Sequence, residues 1–317
     1  MKSLATRSRY PFEWLLVRGL QRLAPYVSMS TVRAGGRAIG RMAYLVDRSR
    51  RQTALDNLEH AFPGRSAEER TALARAMFAH FGGLLFELIK FGTYSHAEML
   101  AASDVEGAER VRHAHAHGRG VLFFTGHFGY WEMFALGHPL RIQPMSLLAR
   151  PLDNPRLHRM LEDLRTSTGN SVIYRQGAVR RVLRDLASGH GVGILIDQHL
   201  HSADAVYVGF FRRPAATTSA LAALALRTGA PVIPVFSLPL ANGRYRFIYE
   251  HAVDPPRADT PDAVREFTQR CTDVLEMYVR RYPDLWLWMH RRWREGDPAA
   301  AAGAADAVPT PDAETDV

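Results

Sequence analysis

A histidine five residues ahead of a glutamate, His127 and Glu132, lies in the stretch VLFFTGHFGYWEMF at residues 121–134. An imidazole titrates near neutrality and can take a proton from an attacking hydroxyl. A carboxylate can orient such a ring and stabilise the imidazolium that forms. The spacing restricts where this pair can meet. Inside a helix, positions i and i+5 diverge by about 140° at about 3.6 residues per turn. Convergence therefore needs His127 in a turn or cap, before helical geometry begins. Val121 to Phe124 read as a short apolar strand, and Gly126 and Gly129 supply the backbone freedom of a tight strand-to-helix turn. The carboxyl end of a buried strand is also where open α/β sheets gather their ligands. The competing reading of His127 is a structural residue that caps a helix.

Further chemistry-bearing residues lie downstream. The run ARPLDNP at residues 149–155 is followed by Arg165, which places two guanidiniums, Arg150 and Arg165, on either side of Asn154. A guanidinium there would hold an oxyanion or a phosphate, unless it is simply surface charge. Asp197 and Gln198 follow the apolar strand GILI, so Asp197 is expected on the same rim as His127, against either His127 or the acceptor. Phe210 and Phe211 are placed either in the wall of an acyl groove or, the commoner fate, in the core. The run LWLWMHRRW at residues 285–293 brings aromatics suited to lipid or packing and arginines suited to phosphate. No metal is expected: His113, His115 and His117 alternate and so diverge on a helix, and His199 and His201 lack partners at ligand spacing. Cys271 reads as a packed small hydrophobe.

The elements that must position these residues alternate. After a helical preface, strands are expected near 121–124, 144–149, 171–174, 192–196 and 231–236, with a hairpin turning at Asn242-Gly243. Helices are expected over 107–117, from about 130, and over 154–168, 178–188, 215–228 and 261–281. This order predicts an α/β fold with a mixed, largely parallel sheet flanked by helices. Residues 1–103 form a helical region, 104–294 the catalytic α/β domain, and 295–317 a tail without periodicity, expected to be disordered. Ser66 and Glu69 form a capping box that opens a helix over about 66–90.

The 317 residues include 40 lysines and arginines against 32 acids, a formal net charge of +8, and only Lys2 and Lys90 are lysine. Arginine of this abundance suits nucleic acid, anionic lipid headgroups or a phosphate-bearing carrier, and charge alone does not choose. A single cysteine excludes a disulfide framework. No uninterrupted apolar run reaches the roughly 18 residues of a spanning helix, and no signal-peptide pattern is present. Residues 10–27 carry Phe12, Trp14, Leu15, Leu16, Leu20 and Leu23 with Arg18 and Arg22 between them. This amphipathic helix either lies in a membrane interface or packs on the protein's own core.

The blocks GHFGYWE, ARPLDNP, Asp197-Gln198, FFRRPAAT, APVIP and WLWMHRRW, in this order, resemble the lipid A biosynthesis acyltransferases of the lauroyl and myristoyl type. They also resemble the related mycobacterial mannoside acyltransferases, within the wider H-x4-D/E superfamily. Two positions depart from the family pattern: Tyr130 stands where Asn is usual, and Arg212 where Gly is usual. The resemblance implies a membrane-associated O-acyltransferase with His127 and Glu132 catalytic and Arg150, Asn154, Arg165, Asp197 and Gln198 binding substrate. It implies no cofactor beyond an acyl carrier protein or coenzyme A thioester as co-substrate. The implied acceptor is a hydroxyl of a lipid or glycolipid, most of all a lipid A precursor, at the cytoplasmic face of a bacterial inner membrane. Nucleic acid is not an expected partner. Rival readings are an acyl thioesterase and a non-catalytic basic module that binds membrane or RNA.

Overall fold

The computed structural model describes residues 9–174, 176–200, 205–257, 260 and 262–294. The expected tail and His201 lie outside the described residues. The chain begins with helices α1 (Tyr10–Leu23), α2 (Met29–Val46), α3 (Arg48–Ala61), α4 (Ala67–Phe91) and α5 (His96–Ala101). Within the expected helical region the chain breaks at Asp47, whose carboxylate accepts the Arg50 N–H and so caps α3. The capping box of Ser66 and Glu69 opens α4 as expected. Then follow β1 (Ser103–Glu106), α6 (Ala108–Ala116), β2 (Val121–Thr125), α7 (Trp131–Gly137), β3 (Met145–Leu148) and α8 (Pro155–Thr166). The chain continues through β4 (Ser171–Ile173), α9 (Ala178–Ala187), β5 (Gly191–Leu195), β6 (Ala205–Phe210) and β7 (Arg213–Thr218). It closes with α10 (Ala220–Thr228), β8 (Val232–Pro239), β9 (Tyr245–Tyr249) and α11 (Ala263–Arg281).

Seven strands form one sheet in the order β1-β9-β8-β2-β5-β3-β4. Its pairs are parallel except β8 with β9, the hairpin that turns through Asn242 and Gly243. This is the mixed, largely parallel α/β sheet read from the sequence. Alternate residues of β2 serve opposite faces, as strand geometry requires. Leu122 and Phe124 join the cluster holding Val192, Ile194 and Trp286, while Val121 and Phe123 join that of Phe134, Met133 and Tyr249.

The stretch 215–218 is corrected. It was expected to open a helix, because Ala favours helices. Instead β7 pairs antiparallel with β6 through a two-residue loop, Phe211 and Arg212, with φ of 52° and 60°. Twist-matched hairpin loops of this length need positive φ at both central positions. Arg212 thus occupies a backbone position that favours glycine.

Helix α4 is long and apolar enough, by length and composition, to cross a membrane. Here its Met77, Phe78 and Phe91 pack in the protein's own core, so a large part of its apolar surface is already covered. Helix α1 behaves differently. None of its residues is buried, and Phe12, Leu15, Leu16 and Leu23 are each more than half exposed.

Candidate active site

Strands β2 and β5 are neighbours, with Thr125 paired to Leu195, and Ile196 N–H donates to the Thr125 carbonyl at 3.0 Å. Adjacent strands lie about 4.8 Å apart. Two residues beyond that register, His127 and Asp197 therefore leave the sheet side by side. His127 Nδ1 lies 2.9 Å from Asp197 Oδ1. The His127 backbone N–H donates to Asp197 Oδ2 at 2.7 Å, and Trp286 Nε1–H donates to the same oxygen at 2.8 Å. The two glycines of the turn make this approach possible. A Cβ on Gly126 would fall 2.9 Å from Asp197 Oδ2, and one on Gly129, at φ +58°, would fall 2.0 Å from the Ser237 carbonyl oxygen.

Asp197 is buried, which disfavours its charge, but the charge and hydrogen bonds of His127 and the Trp286 N–H outweigh burial and hold its pKa below the ordinary carboxylate value. Burial likewise works against a charged His127. The Asp197 carboxylate, with a smaller push from Glu132, outweighs that too, and the imidazole pKa is raised. Asp197 accepts at Nδ1, so the neutral ring keeps its proton there and presents a lone pair at Nε2. That atom lies 3.3 Å from the amide nitrogen of exposed Gln198.

Glu132 does not orient the ring. Its carboxylate grips Arg165, with Nε 2.9 Å from Oε2 and Nη2 on Oε1, and it also accepts Trp131 Nε1–H at 3.2 Å. The carboxylate that touches His127 comes from the neighbouring strand, because the first turn of α7 carries Glu132 away from the histidine. Burial opposes the Arg165 charge, and the Glu132 contact more than compensates, leaving its pKa raised.

The loop after β3 is not at the imidazole. Arg150 is exposed, 3.6 Å from Asp153. Asn154 is buried and caps α8, its Oδ1 accepting Arg156 N–H at 3.1 Å while its Nδ2 donates to the Tyr10 carbonyl at 2.9 Å and Glu13 Oε2 at 3.0 Å. Its polar atoms are committed to scaffold, which argues against the expected substrate contact. Tyr130 points away from the cleft, its hydroxyl 3.3 Å from Glu87, a carboxylate buried in α4 and also held by Arg33 and Tyr245. Phe210 and Phe211 are core residues among Trp286, Trp288 and Trp293. Arg292 is buried as well, donating to the Ala216 carbonyl and Thr217 Oγ1, with its pKa lowered to about 10 by burial.

Two apolar cavities adjoin the turn. One, about 60 Å³, runs between the sheet and α7 past Phe123, Leu147 and Gly193. The other, about 380 Å³, lies among α1, α4 and α8, lined by Val17, Leu84, Leu88, Met160 and Leu161. His127 meets both through Trp131, whose ring is 5.3 Å from the imidazole and lines each cavity. Sequence reasoning had not given a role to Trp131, to Trp286 as a donor to Asp197, or to Glu87. Glu87 carried a signal: it is a lone acid in the apolar run LLFELI. The two tryptophans lay inside motifs already singled out.

An imidazole backed by a buried carboxylate at the rim of a mixed sheet, beside apolar cavities, has the make-up of a lipid-handling transferase. Residues 1–295 match the family described as bacterial lipid A biosynthesis acyltransferase, and the chain belongs to that family. It is an O-acyltransferase. Among curated relatives it is 27% identical over 261 residues to the lipid A biosynthesis palmitoleoyltransferase of Escherichia coli (strain K12), covering 82% of this chain and 83% of that one. It is 25% identical over 296 residues to the lipid A biosynthesis lauroyltransferase of the same organism, covering 92% and 95%. A phosphatidylinositol mannoside acyltransferase of Mycolicibacterium smegmatis (strain ATCC 700084 / mc(2)155) is 25% identical over 226 residues, covering 70% and 72%.

Proposed function

We propose that the protein moves a fatty acyl chain from an acyl carrier protein or coenzyme A thioester to a hydroxyl of a lipid or glycolipid, a lipid A precursor being the favoured acceptor. The observation that carries this reading is His127, with Nδ1 committed to Asp197 and Nε2 turned to the exposed side, one indole away from a cavity of about 380 Å³ lined almost wholly by apolar groups. Nε2 takes the proton of the acceptor hydroxyl as its oxygen attacks the thioester carbonyl. The tetrahedral oxyanion then collapses, the carbon–sulfur bond breaks, and the thiolate leaves with the proton returned by the imidazolium. Asp197 stabilises the imidazolium throughout, as its three N–H donors keep it ionised and fixed. Gln198, whose amide reaches Nε2, is placed to steady the incoming oxygen. No serine or cysteine nucleophile is required, because the acceptor supplies the oxygen. Glu132 and Arg165 take part as a neutralised pair that walls the acyl site, not as the ring's partner.

The exposed apolar residues of α1, together with Ile39, Met42, Leu45 and Val46 on α2, support a bilayer-lying N-terminal region. Arginines in the same helices, Arg18, Arg22 and Arg41, suit anionic headgroups. We place the enzyme on the cytoplasmic face of the inner membrane, where thioester donors are made. Incubation with radiolabelled acyl carrier protein and a bacterial lipid extract tests the proposal. Labelled lipid, absent with His127→Ala, is the expected result. Free fatty acid as the sole product would mean that water is the acceptor.

A further inference from the structure

Two side chains, Trp131 and Glu132, line both apolar cavities. Glu132 is clamped by Arg165. Trp131 is held more lightly, by ring contacts with His127 at 5.3 Å and Phe81 at 6.1 Å and by one hydrogen bond to Glu132 at 3.2 Å. A chain whose carbonyl carbon sits within reach of His127 must run past this indole to enter either cavity. The smaller cavity lies against Gly193, in the middle of β5, where an added Cβ would come 3.3 Å from Leu147 Cδ2. Glycine weakens a central strand; at this position it leaves space open behind the indole.

We propose that Trp131 is a specificity-determining residue for acyl-chain length. Its indole separates the two cavities, so the chain accepted is the one that the larger cavity holds by itself. The inference rests on reading that cavity as the acyl site. Along α4 and its C-cap the lining runs from Phe81 to Gly92, an advance of about 16 Å at about 1.5 Å per residue. At about 1.3 Å per trans carbon–carbon bond, this matches a chain of about a dozen carbons. The far end is tight, since a Cβ on Gly92 would approach Leu164 Cδ1 to 2.8 Å. Removing the indole joins the cavities and lets a longer chain bend into the second one.

The test is calorimetric titration of the full chain with saturated fatty acids from octanoate to octadecanoate. Wild-type affinity rises with length to about dodecanoate or tetradecanoate and then stops rising. Trp131→Ala should bind hexadecanoate at least tenfold tighter than wild type does, because methylenes left in water by the wild type become buried. Trp131→Phe, which keeps a ring in place and guards against misfolding, should move the limit part of the way. An unchanged length limit in Trp131→Phe and Trp131→Ala would overturn the proposal. Leu161→Trp, which fills the larger cavity from α8, should weaken every chain tested. If it does not, the acyl reading of that cavity fails, whatever Trp131 does.

Discussion

Two acid–base pairs stand at the rim of the sheet, and they are built to opposite ends. His127 and Asp197 come from the ends of adjacent parallel strands, with the acid side buried and Nε2 turned outward. Glu132 and Arg165 come from two helices, and their charges satisfy each other against apolar cavities. The first pair leaves Nε2 facing outward, met by the exposed Gln198 amide at 3.3 Å, whereas the second is satisfied by its own ion pair and the Trp131 N–H. A group that must move protons needs an open lone pair and a poised pKa. A group that must border hydrocarbon needs its charge cancelled. The two carboxylates are therefore not interchangeable, although only one of them belongs to the five-residue motif.

The contrast is sharpest in turnover. His127→Ala should lose activity toward the upper end of the about 10²–10⁴-fold span of general-base catalysis. Asp197→Asn should cost about 10²–10³-fold, since an amide can accept at Nδ1 but cannot balance an imidazolium. The pH profile separates it from a merely structural lesion. Asp197 raises the His127 pKa, and the base works only when neutral, so wild-type activity falls as pH drops through that raised value. Without the carboxylate the His127 pKa falls and the acid limb moves to lower pH. An acid limb that stays in place in Asp197→Asn would break the assignment of the two roles.

Glu132→Gln probes the other pair and should register first in stability. It leaves the Arg165 guanidinium, 16% exposed, without its counter-charge, and breaking a buried pair in this way costs about 3–5 kcal/mol. Replacing both partners, in Glu132→Leu with Arg165→Met, should recover a large part of that loss in urea melts, because neither charge is then stranded. The acid limb should shift in the same direction as in Asp197→Asn but by less, because Glu132 acts on His127 through charge alone and ranks below Asp197.

These differences also show what was legible in the chain. The apolar run ahead of Gly126 and the one ahead of Asp197 placed both residues at strand ends, and so on one rim. Their pairing was legible only as one of two alternatives, because the choice depends on β5 lying next to β2 in a register that relates residues 70 positions apart. Spacing within the motif favoured Glu132 as the partner, being the only local information. The Ala-rich stretch before α10 looked helical by propensity, and pairing with β6 overrode it. Capping signals fared better: Ser66 with Glu69 acts within one turn of helix, and its geometry depends on nothing distant. Interactions completed inside about four residues could be read directly. Those completed by sheet order could be read only as neighbourhoods.

The smallest effect is expected at Asn154, and it delimits the site. Arg150 and Asn154 lie in the run that precedes Arg165, yet of the three only Arg165 pairs with Glu132, which lines both cavities beside the imidazole. Asn154 instead ties two helices together, capping α8 with Oδ1 and holding the Tyr10 carbonyl and Glu13 with Nδ2. Asn154→Ala removes the cap, worth about 1 kcal/mol, and releases the start of α1, which roofs the larger cavity. Thermal melting should drop by a few degrees. At a temperature where the variant is fully folded, kcat should stay within about twofold of wild type and the pH profile should superimpose, as a change of about twofold corresponds to under 0.5 kcal/mol in the barrier. A loosened roof would show in KM, most strongly for the longest chains. A large fall in kcat with unchanged melting would instead put the Asn154 amide on the substrate and extend the reactive rim to the loop after β3.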